Sequence, residues 1–147
     1  MRHGELEREL HDIAVRQIAE ARFVPPALRY TPGEEHPTWK TYINIPSAVM
    51  PIKDRDDNAL YPDIVIVDTE QGNAPIVACE VESASGVNDE VANRWKACSE
   101  GCMKFYLYVP EGYATKAAGL LLKHNVTITR FRTYGFDSLW HVRITAV

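Results

Sequence analysis

Between residues 5 and 22 the apolar positions Leu6, Leu10, Ile13, Ala14, Ile18 and Ala21 recur at the three-and-four spacing of an amphipathic helix, which Pro25-Pro26 stops. Projected at about 100° per residue, Gln17 falls in the middle of that stripe and Glu20 on its edge. Two polar groups therefore point inward, either hydrogen-bonded there or facing a site. From 24 to 62 the pattern breaks, with Pro25, Pro26, Pro32, Pro37, Pro46, Pro51 and Pro62 spread around the charged run Lys53-Asp54-Arg55-Asp56-Asp57. Long loops are expected there, with one strand from Trp39 to Ile45 that puts Trp39, Thr41, Ile43 and Ile45 on one side.

The β-branched runs 63–69 and 76–83 flank Glu70-Gln71-Gly72-Asn73-Ala74 and predict adjacent antiparallel strands joined by a hairpin turn. Val87, Val91, Trp95, Cys98 and Cys102 then recur at helical spacing, with Asn88 as a cap and Asp89 and Glu90 in the first turn, giving a helix to about Glu100. Lys104 to Val109 reads as a strand, Ala114 to His124 as a helix, and 127–134 and 139–147 as two strands joined by Gly135-Phe136-Asp137-Ser138. The order is that of a mixed-sheet α/β layer fold.

Composition narrows this picture. A chain of 147 residues, 46% hydrophobic and 10% aromatic, fills the core of one domain spanning 1–147. No run approaches the roughly 18 to 20 apolar residues of a membrane span, and the N-terminus lacks a secretory apolar segment, so a soluble, cytoplasmic protein is expected. Cys79, Cys98 and Cys102 are odd in number and predict reduced thiols; Cys98 and Cys102 are assigned to core packing rather than to a metal. None of the five histidines has a metal or triad spacing.

Net charge is −4, but residues 1–91 carry 8 Lys/Arg against 17 Asp/Glu, while 92–147 carry 8 against 3. Overall acidity therefore does not exclude a polyanionic partner. Arg130, Arg132 and Arg143, with Lys123 and His124 nearby and Phe131, Tyr134 and Trp140 between them, have the composition of a segment that tracks a phosphate backbone. A solvent-facing hairpin with core aromatics is the favoured reading, because five scattered charges make a thin basic patch.

The hairpin turn decides where the acids go. A two-residue loop at Gly72-Asn73 sets Asp63 opposite Glu82 and Val65 opposite Glu80; a four-residue loop sets Asp63 opposite Glu80 and leaves Glu82 diagonal. Either brings three carboxylates onto one face, whereas an odd-numbered loop separates them. Carboxylates crowded on buried strands need protons or a cation, and hard oxygens suit Mg²⁺, Mn²⁺ or Ca²⁺. The alternative is an exposed strand face on which Glu80 and Glu82 pair with Arg or Lys.

Tyr61-Pro62-Asp63-Ile-Val-Ile-Val followed by Ala78-Cys79-Glu80-Val81-Glu82 resembles the PD-(D/E)XK motif of restriction-endonuclease-like nucleases, and the element order over 5–134 matches as well. The resemblance implies an α-β-β-β-α-β-α-β core with an extra C-terminal strand and a Mg²⁺- or Mn²⁺-dependent nuclease, with DNA favoured over RNA. It assigns metal binding to Asp63 and Glu80, with the Val81 carbonyl and Glu20 of the first helix assisting. A homodimer is a further expectation of that family. This chain departs from the motif in carrying Glu82 where Lys is usual. Glu82 then acts as base or extra metal ligand, or the domain is degenerate and only binds nucleic acid or protein. Lys96 is no substitute, since it projects about 140° from the centre of its helix's apolar face, whereas Arg94 lies near that face's edge and is the candidate phosphate contact.

Overall fold

A computed structural model describes residues 3–24 and 36–147; the prolines expected to stop the first helix, Pro25 and Pro26, lie outside them. Three helices flank a curled, mixed six-stranded sheet. The elements are α1 (His3–Arg22), β1 (Trp39–Ile43), β2 (Ile52–Lys53), β3 (Ala59–Leu60), β4 (Ile64–Asp68), β5 (Ala74–Val81), α2 (Asp89–Glu100), β6 (Lys104–Pro110), α3 (Ala114–Lys123), β7 (Arg130–Phe136) and β8 (Val142–Ala146). In the main sheet the order is β1-β4-β5-β6-β7-β8. β5, β6 and β7 are parallel to one another, and the remaining neighbours are antiparallel. Among the described residues no helix is long and apolar enough to cross a membrane.

Strand alternation sorts the core into two clusters. Ile64 and Ile66 of β4, Cys79 and Val81 of β5, and Tyr106 and Tyr108 of β6 pack with Ala14, Val15, Ile18 and Phe23 of α1. Val65, Val67, Ala78, Leu107 and Val109 point the other way, onto Ala92, Trp95 and Cys98 of α2 and Ala117, Leu120 and Leu121 of α3. Each parallel connection thus places its helix on the same face, while α1 covers the opposite one. Gln17 is satisfied by backbone, as one of the two sequence alternatives required: it donates to the Trp140 carbonyl at 2.8 Å and accepts from Val142 N–H at 2.6 Å, tying α1 to the β8 edge.

Two departures matter for the site. The segment 46–62, expected as loop, contains the β2–β3 hairpin, in which Asp54 Oδ1 accepts the N–H groups of Asp56 and Asn58, both at 2.9 Å, while Ile52 enters the core. Asn44 holds this segment in place. Its side chain donates to the carbonyls of Met50 and Pro62 and accepts from Val49 and Met50 N–H. The second departure is the hairpin loop, which spans 69–73 between the paired Asp68 and Ala74 and is odd-numbered. Gly72 and Asn73 turn it with φ of 63° and 60°. A register shift between Ile66 and Val67 inserts Ile76 as an extra residue on β5, next to Pro75, and restores the even register. Ile64 pairs Cys79, and continuing that register sets Asp63 across from Glu80.

Candidate metal centre

Asp63 immediately precedes β4, where its carbonyl accepts Asn44 N–H at 3.0 Å. Glu80 lies within the last turn of β5, and Glu82 just beyond it, held by its N–H to the Tyr108 carbonyl at 2.9 Å and by its carbonyl to the Tyr134 hydroxyl at 2.5 Å. All three side chains share the α2 face of the sheet. They bring one oxygen each to within 4.8 Å of one another. Glu80 and Glu82 are only 3% and 8% exposed, so the exposed-face alternative fails, although Glu80 does take an arginine.

Each carboxylate has a donor. Asp63 Oδ2 accepts Val81 N–H at 2.9 Å, and Asp63 Oδ1 meets His11 Nε2 of α1 at 3.3 Å. Glu80 Oε1 meets Arg94 at 3.2 Å and the Cys98 thiol at 3.7 Å. Glu82 Oε1 accepts the Trp95 indole N–H at 3.3 Å. Its other oxygen lies against Gly86, where a Cβ would fall well inside van der Waals contact.

Burial pushes the Glu80 carboxyl well up, with the Asp63 charge adding to it and Arg94 opposing it. Burial likewise lifts Glu82 to about 7, again with Asp63 adding. For His11 burial works against the charged ring, but hydrogen bonding and attraction to Asp63, and then to Asp12, outweigh it and raise the imidazole to about 9. Two cations therefore stand against three carboxylates, one of which titrates near neutrality. The three oxygens could hold a metal ion, and protons could neutralise them as well.

Of the residues singled out from sequence, Asp63, Glu80, Glu82 and Arg94 converge, and Val81 joins through its N–H. Glu20 is exposed and is not part of the carboxylate group; His11, about 13 Å of helix rise before it, is the α1 residue that reaches the site. Arg130 and Arg132 do not join either. They pair with Tyr106 and Tyr108 and so point to the α1 face, opposite the carboxylates. Among the described residues no lysine contacts the cluster, so position 82 has no basic stand-in. His11 was missed because its partner lies far along the chain, but it stands four residues before Val15 and seven before Ile18, on the buried stripe.

Beside the centre lies a groove of about 480 Å³, lined by Leu6, Leu10, Pro110 and Phe136 and edged by Glu7 and Glu111; His11 and Ser83 border both it and the carboxylates. Glu7 accepts the Ser85 N–H at 3.1 Å and hydroxyl at 2.5 Å, fastening the turn after β5 to α1.

Fold and site together define a mixed α/β domain with a largely buried three-carboxylate centre. No protein-family model, no curated protein and no solved structure matches the chain.

Proposed function

We propose that the protein is a Mg²⁺- or Mn²⁺-dependent nuclease of the PD-(D/E)XK kind that hydrolyses phosphodiester bonds of nucleic acid. The observation that carries this reading is the convergence of the buried Glu80 and Glu82 with the partly buried Asp63 at the adjoining ends of β4 and β5. The architecture supports it: α1, the meander β1-β4-β5, and a parallel β5-α2-β6 connection follow the order the motif implies, with the β2–β3 hairpin and β8 as additions. The donor set fits the ion, because all three groups are hard oxygen ligands within reach of one centre.

Asp63, Glu80 and Glu82 would hold the cation, which supplies charge neutralisation and a water of lowered pKa. Val81 N–H and His11 orient Asp63. Arg94, anchored by its 2.6 Å hydrogen bond to the Tyr61 carbonyl, aligns Glu80. Glu82, whose second oxygen lies towards Gly86 rather than towards a donor, would stand where lysine is usual in the motif and could take the proton of an attacking water.

A second reading has its own support. Arg94 and His11 already neutralise much of the cluster, as they would in a nuclease-like domain that only binds nucleic acid or a protein partner. Calorimetric titration with Mn²⁺ comes first: no uptake at millimolar concentration removes the nuclease and leaves the binding domain. If Mn²⁺ binds, cleavage of a DNA and RNA panel is expected to vanish in Asp63→Ala and Glu80→Ala; cleavage unchanged in both variants overturns the assignment.

A further inference from the structure

A second charged region lies on the opposite face of the sheet. Arg130 on β7 sits beside Tyr106 on β6, its guanidinium 5.0 Å from the ring centroid, and Arg132 sits beside Tyr108. Phe23 packs on both tyrosines, with centroids at 5.8 and 6.4 Å, which brings the last turn of α1 and Arg22 over the same pair. Arg22, Arg130 and Arg132 all act on the Tyr108 hydroxyl, drawing down a pKa that burial and Cys79 raise.

Arg55, Arg94 and Arg143 are paired with Glu100, Glu80 and Glu111. Among the described residues Arg22, Arg130 and Arg132 have no carboxylate partner, although the chain is acidic overall. Tyr108 is 1% exposed, and its hydroxyl has no hydrogen-bond partner among the described residues. A buried phenol normally finds a partner. Arg132 donates one N–H to the Phe131 carbonyl at 2.8 Å; the remaining donors of the three guanidinium groups, with the unpartnered hydroxyl, meet no acid among the described residues.

We propose that Arg22, Arg130, Arg132 and the Tyr108 hydroxyl form a binding site for a phosphoryl oxyanion, separate from the carboxylate centre. Guanidinium donors match tetrahedral phosphate oxygens, and the hydroxyl supplies one more donor at the floor. His11 and Arg22 are eleven residues apart on α1, about 16 Å of rise, so a phosphate here cannot also sit among the carboxylates. Terminal or free phosphate and the diester of a nucleic-acid backbone share this chemistry.

The test is binding of inorganic phosphate, and separately of a DNA oligonucleotide lacking terminal phosphates, in EDTA. Chelation makes the outcome independent of whether the carboxylates hold metal. Wild type is expected to bind at least one probe at millimolar concentration or below, with a change in the ¹³Cζ resonance of Tyr108. Tyr108→Phe and Arg130→Gln are each expected to weaken that binding roughly tenfold, the scale of a lost hydrogen bond to a charged group. Phosphate as the tighter probe identifies a free or terminal group, and the oligonucleotide as the tighter probe identifies the backbone. Absence of binding by both probes, or binding equal in wild type and both variants, overturns the proposal. Arg130 is exposed and Phe keeps the Tyr108 ring, so both variants should fold, which their thermal melts verify.

Discussion

Beside the N-terminal half of α1, which carries His11, three carboxylates face two cations, whereas at its C-terminal end, which carries Arg22, three arginines gather near Tyr108 with no carboxylate among the described residues. Like charges crowd at both ends, but the settings differ. Glu80 and Glu82 are buried, so their charges must be matched within the protein. Arg22 and Arg130 are exposed, and water and salt screen them. A cation at the first end is therefore part of the fold, whereas one at the second is free for a ligand. Each prediction below probes that difference.

The largest effect should follow Arg94→Ala. It leaves Glu80 buried without its partner, and losing one member of a buried pair costs about 3 kcal/mol, less where the exposed part of the arginine is screened. Urea denaturation at neutral pH in EDTA measures it, and Mn²⁺ should restore part of the loss by taking the place of the guanidinium. Stability equal to wild type would mean that Glu80 is protonated and the ion pair contributes nothing.

Next in size is the pH dependence of the metal-free protein. Glu82 keeps its proton to about 7 in the fold but only to its ordinary 4.5 when unfolded, so between those values the native state holds the extra proton and rising pH removes stability. His11 acts in the same direction: its contribution is complete below 6.5 and is lost as pH rises through about 9. Thermal melts in EDTA should thus fall from pH 5 toward pH 9 in two stages. Glu82→Gln should shrink the lower stage, to which Glu80, also raised by burial, contributes the remainder, and His11→Gln should abolish the upper, costing about 1 kcal/mol at neutral pH. A flat profile would show that neither group is tied to the cluster as described.

How much of this was legible in sequence depends on the distance over which each feature is specified. Glu80 and Glu82 share a face because strand parity is local, whereas Asp63 joins them through the register of the hairpin. The turn was misjudged: its odd loop separates the acids by itself, and only the extra residue at Ile76 restores them. Pro75 inside the apolar run was the visible sign of that bulge. The β2–β3 hairpin was invisible because two-residue strands carry no period and its turn is held by the Asp54 side chain. Arg130 and Arg132 share a face with Tyr134 by alternation, but which helix covers that face is set by the crossovers and by α1, nonlocal choices that composition does not encode. For the same reason His11 and Asp63, 52 residues apart, gave no motif.

A smaller effect on stability, but a selective one, is expected from Gly86→Ala. The new methyl group would displace the Glu82 carboxylate, the movable partner in that contact, rather than backbone. Stability should change by less than about 1 kcal/mol, while Mn²⁺ affinity measured by calorimetry falls about tenfold, the scale of a disturbed ligand set. Unchanged affinity would remove Glu82 from the metal ligands and leave Asp63 and Glu80.

The smallest effect is predicted at the arginine end, and it is the one that decides whether the comparison holds. Arg130→Gln removes an exposed guanidinium that has no carboxylate partner among the described residues and whose nearest contact is the Tyr106 ring. The lost cation–π attraction, about 0.5 kcal/mol at an exposed site, is offset by relief of repulsion from Arg22 and Arg132. Denaturation should therefore place the variant within about 0.5 kcal/mol of wild type, and closer still at low salt, where the relieved repulsion is strongest. A loss comparable to that of Arg94→Ala would mean that this arginine too is committed to the fold, and the two ends of α1 would no longer differ in kind.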